Sequence, residues 1–232
     1  MTEIENTDKV FSPKYRLRIK FSRIGAAGKM THLEQMKEVR KSFSLSDIPV
    51  FKSNNKRAMP KISFGPAISM GYESLCEFAD VYLTALTKEN DIKAIFDKME
   101  VSGINFVSAK RIPLFFPSLE SSVDAVEYEV KGEFPEDFSQ DKIKLALKKS
   151  ELFFEKIKEG KSVKKINFRP LIIKMEYDKE ESKVVLVLKI KPGFNIKPEN
   201  ALSVIAGNSA KIKGILKKQL YWINSGGEFE VF

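Results

Sequence analysis

The chain has 232 residues, 43% of them hydrophobic and 18 of them Phe, enough for one sizeable core or two small ones, which excludes a disordered protein. Its 40 Lys and Arg exceed its 31 Asp and Glu for a net charge of +9; this favours phosphate-rich partners, but AT-rich codon usage gives the same composition and charge alone places no binding face. One Cys and one His are too few for a disulfide, a structural zinc site or an iron–sulfur cluster, so no metal or cofactor is expected.

A lone Cys76 also fits a reducing compartment, and residues 1–10 are acidic and polar without the apolar core of a secretory signal, so the expected location is the cytoplasm. Apolar runs such as Val184–Leu188 are far too short to span a bilayer. In chain order, Tyr15, Leu17, Ile19 and Phe21 alternate with Arg16, Arg18 and Lys20, predicting a half-buried strand with one basic face. Thr31 and Glu34 form a capping box that starts a helix, with Leu33, Met36, Val39 or Arg40, and Phe43 turned inward. Further strands are expected around Ile62–Met70, through Ala79–Ala85 and over Ile104–Ile112, with a helix marked by Ile92, Ile95, Phe96 and Met99.

After a Pro- and Ser-containing connection the order repeats. The pattern predicts a strand over Val123–Phe134, a long helix marked from Ile143 to Ile157, strands over Ile166–Tyr177 and Lys183–Ile190, a short helix opened by Pro198, and a last strand over Lys211–Ile223. The expected fold class is α+β, with tandem ferredoxin-like (β-α-β-β-α-β) halves, antiparallel sheets side by side and a cleft between them. The expected boundaries are a flexible segment 1–13, halves 14–113 and 123–223, and a loose tail 224–232.

The basic strand belongs to a series of words: Tyr-Arg-Leu-Arg-Ile-Lys-Phe-Ser (15–22), Thr-His-Leu-Glu-Gln-Met (31–36), Ile-Pro-Val (48–50), Pro-Lys-Ile-Ser-Phe-Gly-Pro-Ala (60–67) and Gly-Tyr-Glu-Ser (71–74). Weaker ones follow at 166–172 and 193–199. Together they resemble the radical-SAM-linked conserved protein family, a domain of unknown function found beside or fused to cobalamin-type radical SAM proteins. The resemblance implies the linked partner and not the radical enzyme itself, and an RNA-related setting. Relatives carry a Gly-Phe-Asn-Pro-His-type stretch where this chain has Asn55–Met59, so a two-histidine catalytic arrangement is not expected here.

Residues 52–61 hold four cations and no acid. Opposite Arg16, Arg18 and Lys20, the loop residues Lys52, Lys56, Arg57 and Lys61 can grip a nucleic-acid backbone, with Asn54 and Asn55 turned to bases or sugars. The alternative for that loop is a solvated surface. His32, at the first turn of a helix, is the one candidate general base, aided by Lys29 or Lys61; the alternative is local packing. Ser63, Gly65, Gly71 and Glu73 mark a ligand-contacting or structural loop. Phe64, Tyr72, Tyr221 and Trp222 are candidate stacking rings. Three functions stay open: a non-catalytic RNA-binding or substrate-presenting partner of a radical SAM protein, a metal-independent RNA-cleaving or RNA-modifying enzyme using His32, and a protein-interaction scaffold.

Overall fold

A computed structural model describes residues 12–52, 58–156, 164–191, 196–207 and 209–232. Strand β1 (Tyr15–Arg23) leads to helix α1 (His32–Ser44), whose N-terminus is the capping box read from the sequence. Thr31 Oγ1 accepts from Glu34 N, and the Glu34 carboxylate accepts from Thr31 N at 2.7 Å. Then come β2 (Ile62–Phe64), β3 (Tyr72–Leu83), α2 (Glu89–Asp97) and β4 (Ile104–Ile112). The turn into β4 depends on Gly103, at φ +96, whose carbonyl accepts from Ile24 N. A Cβ there would lie 2.0 Å from the Ile24 carbonyl oxygen, so only glycine permits the approach.

A short helix, α3 (Leu119–Ser122), lies in the connection to β5 (Ala125–Glu133), followed by α4 (Gln140–Lys148), the hairpin β6 (Phe153–Lys156) and β7 (Lys164–Asn167), β8 (Ile172–Asp178), β9 (Lys183–Lys189), α5 (Pro198–Ala206), β10 (Lys211–Ile223) and β11 (Phe229–Val231). Four departures from the sequence reading have local causes. The long helix stops at Lys148 because the apolar spacing changes there: Leu152 and Phe154 turn inward while Phe153 is exposed, a period of two that makes a strand. Pro170, which has no N–H to give a ladder, splits the strand expected over 166–177 with a 3-10 turn at Arg169–Leu171. The strand expected around Ile62–Met70 is reduced to Ile62–Phe64, since Gly65 and Pro66 follow it. Residues 229–231, expected in a loose tail, pair with Tyr221–Ile223 of β10.

The strands of the first half lie in the order β4-β1-β3-β2 and those of the second in the order β10-β5-β9-β8. Counted within each half both orders read 4-1-3-2, with every neighbour antiparallel, as the β-α-β-β-α-β path requires. The fold is therefore α+β with a mostly antiparallel sheet. The expectation of two sheets flanking a cleft is corrected: β3 and β10 pair in parallel, Tyr72 with Ile215 through Ser74 with Lys217, and fuse the halves edge to edge into one nine-stranded sheet.

Alternation along β1 and β3 divides the first half's side chains between two faces. Ile19, Phe21, Ala79, Val81 and Leu83 pack with Val39, Phe43, Ile92 and Phe96 under α1 and α2. Cys76 and Phe78 point the other way, onto Leu119 and Val123 of the connection and Phe232. The second half has its own core, around Ile143, Leu186, Leu202 and Phe168. On α1 the buried stripe is Gln35, Val39 and Phe43, whereas Leu33, expected inward, is exposed.

Candidate nucleic-acid interface

The strand face opposite the helices carries Arg16, Arg18 and Lys20 from β1, Asp80 and Tyr82 from β3, and Lys110 from β4, which is the register partner of Arg18. Lys61, one residue before inward-facing Ile62, comes to the same face, its Nζ 4.5 Å from the centre of the Tyr82 ring. Strands β1, β2 and β4 contain no Asp or Glu. The acid on this face of β3, Asp80, is fully buried and holds two guanidinium groups: Arg18 Nε and Nη2 at 2.7 and 2.9 Å, and Arg16 through Nε and Nη2.

Arg16 is thereby lost as a nucleic-acid contact. It is 2% exposed, and its remaining protons reach the carbonyl oxygens of Phe116 and Pro117. The sequence shows the alternation that sets Arg16 apart from the core, but not the 113–123 connection that folds back over it. Arg18 is half-buried, with Phe116 on one ring contact and Phe232 on another, 5.6 and 4.8 Å from its guanidinium carbon. Lys20, Lys61 and Lys110 make no ion pair among the described residues; Lys20 lies over the Phe78 ring, and Lys61 and Lys110 are exposed. Lys52, also exposed, forms a backbone bridge with Pro60 that brings the two ends of the basic loop together. Asn54, Asn55, Lys56 and Arg57 lie outside the described residues.

On the helix side, at the seam between the halves, a second polar group is buried. Lys217 Nζ meets Glu77 Oε1 at 2.7 Å, both residues 3% exposed, and Gln35 Nε2 donates to Glu77 at 3.2 Å. Gln35 in turn accepts from Arg23, which also donates to the carbonyls of Gly28 and Met30. Burial alone would raise the Glu77 carboxyl, but Lys217, Ser74 and Gln35 hold it below its ordinary value. Beside this group a cavity of about 60 Å³ is lined by Tyr72, Tyr128 and Lys217.

His32 sits on this helix side, edge-on to Phe64 with ring centroids 6.3 Å apart. Its Nδ1 is buried without a hydrogen-bond partner. Burial lowers its pKa, Glu77 opposes that, and Lys217, Arg23 and Arg40 add to it, so the imidazole is neutral at pH 7. Lys61 cannot assist it, because the sheet lies between the two side chains. The Ser63, Gly65, Gly71 and Glu73 group is structural in its contacts: Gly65 N donates to the Phe78 carbonyl, Gly71 at φ +87 donates to the Gly28 carbonyl, and the Glu73 carboxylate accepts from Gly25 N at 2.7 Å. Ser63 Oγ is buried without a partner. Of the candidate stacking rings, Phe64 and Tyr72 are packed in the cores, with the Tyr72 hydroxyl on Glu199, and Tyr221 donates to Glu127; Trp222 is partly exposed.

The profile of a family described as "uncharacterized protein conserved in bacteria (DUF2344)" matches residues 16–198. The chain belongs to that family. The DUF2344 span takes in the whole basic face, the connection over Arg16 and the start of α5, and stops short of β10, which supplies Lys217 to the seam. No curated protein matches the chain in sequence. Among solved structures, a chain of the crystal structure of a Cbf5-Nop10-Gar1 complex aligns at 11% identity and a TM-score of 0.44, over 88% of this chain and 48% of that one. The chain spans about half the length of that solved chain, and likeness at this level carries no argument. Among the described residues no helix is long and apolar enough to cross a membrane, and no group of three or more His, Cys, Asp or Glu is placed to hold a metal ion.

Proposed function

We propose that this protein is a non-catalytic RNA-binding or substrate-presenting partner of a radical SAM enzyme. The observation that carries the RNA half is the face of β4-β1-β3-β2, where Arg18, Lys20, Lys61 and Lys110 gather on strands whose one acid there, Asp80, is buried beneath two arginines. Phosphates neutralised by such cations release counterions, which makes affinity salt-dependent. The resemblance of residues 15–74 to the radical-SAM-linked family supplies the second half and favours RNA over DNA.

The test is binding of fluorescent transfer RNA, ribosomal RNA fragments and matched DNA across a salt series, with a Lys20/Lys61/Lys110→Gln variant and co-purification with the radical SAM enzyme. RNA-selective, salt-sensitive binding that weakens in the triple variant, with partner association, is the expected result. Absence of RNA affinity at low salt together with absence of partner association overturns the proposal. His32→Ala is expected to leave RNA affinity unchanged; a reaction on bound RNA that His32→Ala abolishes would favour the enzyme reading instead.

A further inference from the structure

The connection after β4 displays an aromatic ring that the fold does not use. Pro113 O accepts from Phe116 N at 3.2 Å, closing a β-turn with Leu114 and Phe115 at its two central positions. Gly, Pro, Asn, Asp and Ser dominate turns, and Leu-Phe at the centre of a Pro-Leu-Phe-Phe-Pro segment supplies none of their turn chemistry. Nor does folding gain: Phe115 is 90% exposed, and Leu114 is 42% exposed. A sequence that breaks a local rule without a folding benefit marks a place to look for function.

The turn is held firmly for a surface loop. Buried Arg16 donates to the carbonyls of Phe116 and Pro117, Pro113 and Pro117 fix φ on either side, and the Phe116 ring lies against the Arg18 guanidinium. Phe115 is thus displayed on a preorganised support at the margin of the cationic face, one residue from a ring over Arg18, whose strand neighbour is Lys110. A fixed, solvent-facing aromatic beside phosphate-binding cations is what an unpaired base needs for stacking while its backbone is neutralised.

We infer that the 113–117 turn is a base-stacking site for single-stranded RNA, with the Phe115 ring as platform. This rests on the RNA-binding reading above and adds selectivity for unpaired bases to it. The charge around the turn favours this occupant over an apolar protein surface.

The experiment compares three probes of equal length, a single-stranded oligouridylate, its abasic counterpart and a blunt RNA duplex, against the full chain and its Phe115→Ala, Phe115→Leu and Phe115→Trp variants. Wild type is expected to prefer the oligouridylate over the abasic strand by about tenfold, given the usual strength of base–aromatic stacking. Phe115→Ala and Phe115→Leu should remove that preference without changing the salt slope, and Phe115→Trp should keep it. Equal binding of base-bearing and abasic strands by wild type, or a preference that survives Phe115→Ala, overturns the inference while leaving RNA binding in place. Loss of enzyme co-purification in Phe115→Ala with RNA affinity intact overturns it too, in favour of a protein contact. If none of the probes binds at low salt, the RNA reading itself fails and takes the stacking site with it.

Discussion

Strands β1, β2 and β4 of the first half carry no acid, whereas β5 and β8 of the second carry Glu127, Glu129, Glu133, Glu176 and Asp178. The strand orders match, but the charges are managed differently. In the second half Glu129 meets Lys183 and Lys218, Glu133 meets Lys211 and Lys213, and Glu176 meets Lys174. In the first, Lys20, Lys61 and Lys110 are left without an ion pair among the described residues, and the acid on their face is used up by Arg16 and Arg18. A net charge spread over the whole composition thus resolves into one face with free cations and one that neutralises its own. The contrast is what makes the first half the place to test.

The largest expected effect concerns whether the halves are one unit at all. Glu77→Gln leaves the Lys217 ammonium buried without its counter-charge and should cost about 3–5 kcal/mol in urea unfolding, while a Glu77→Leu/Lys217→Met pair should recover most of it. Acid should act in the same direction. The Glu77 carboxyl is held below its ordinary 4.5, so its contribution is complete above that pH and is lost as pH falls through the lower folded value. Unfolding followed from pH 7 to pH 2 should show wild type losing more stability than the Leu/Met pair.

Asp80→Asn attacks the contrast directly. It should cost about 3 kcal/mol by removing one partner of a buried ion pair, yet raise RNA affinity and steepen its salt slope by freeing cationic charge. Stability and binding moving the same way would break the comparison. Lys20/Lys61/Lys110→Gln should reduce the salt slope by about 2 for single strands, and the matched Lys174/Lys213/Lys218→Gln set in the second half should change it little. Thr31→Ala should cost about 1 kcal/mol through the lost cap, with no change in binding. The smallest effect is at Cys76, whose thiol burial pushes up to about 11: it should resist thiol reagents at pH 8 until the chain unfolds.

Much of the path was legible. β4 and β10 occupy the spans Ile104–Ile112 and Lys211–Ile223 that alternation and flanking turns mark out, and the Thr31–Glu34 box starts α1 where its spacing requires. Periodicity worked where burial follows apolarity. It failed at Gln35, which is buried because Arg23 and Glu77 need a polar bridge, and correspondingly at exposed Leu33. The site was harder. That Arg16 and Arg18 share a face is written in β1, but that Asp80 and the 113–117 turn cover Arg16 is a fact of tertiary folding with no local trace. Phe115 left a faint signal, an aromatic in a turn bracketed by prolines, which core-seeking patterns pass over. Lys217 left none, since a lysine in a strand reads as a solvent residue until its partner 140 positions away is in place.

That separation has a consequence for the order of events in synthesis. β10 closes the second half and also covers the outer edge of β3 at Tyr72–Ser74, yet Lys217 on it follows Glu77 of β3 by 140 positions and leaves the ribosome well after it. The first half can therefore assemble its own core during translation, while part of its β3 edge and the Glu77 carboxylate wait for Lys211–Ile223. Such long-range pairing is slow, and an open edge in the meantime is a template for the wrong strand. A stalled or truncated chain lacking β10 would carry a bare seam and an uncompensated buried acid, two features by which quality control can recognise it.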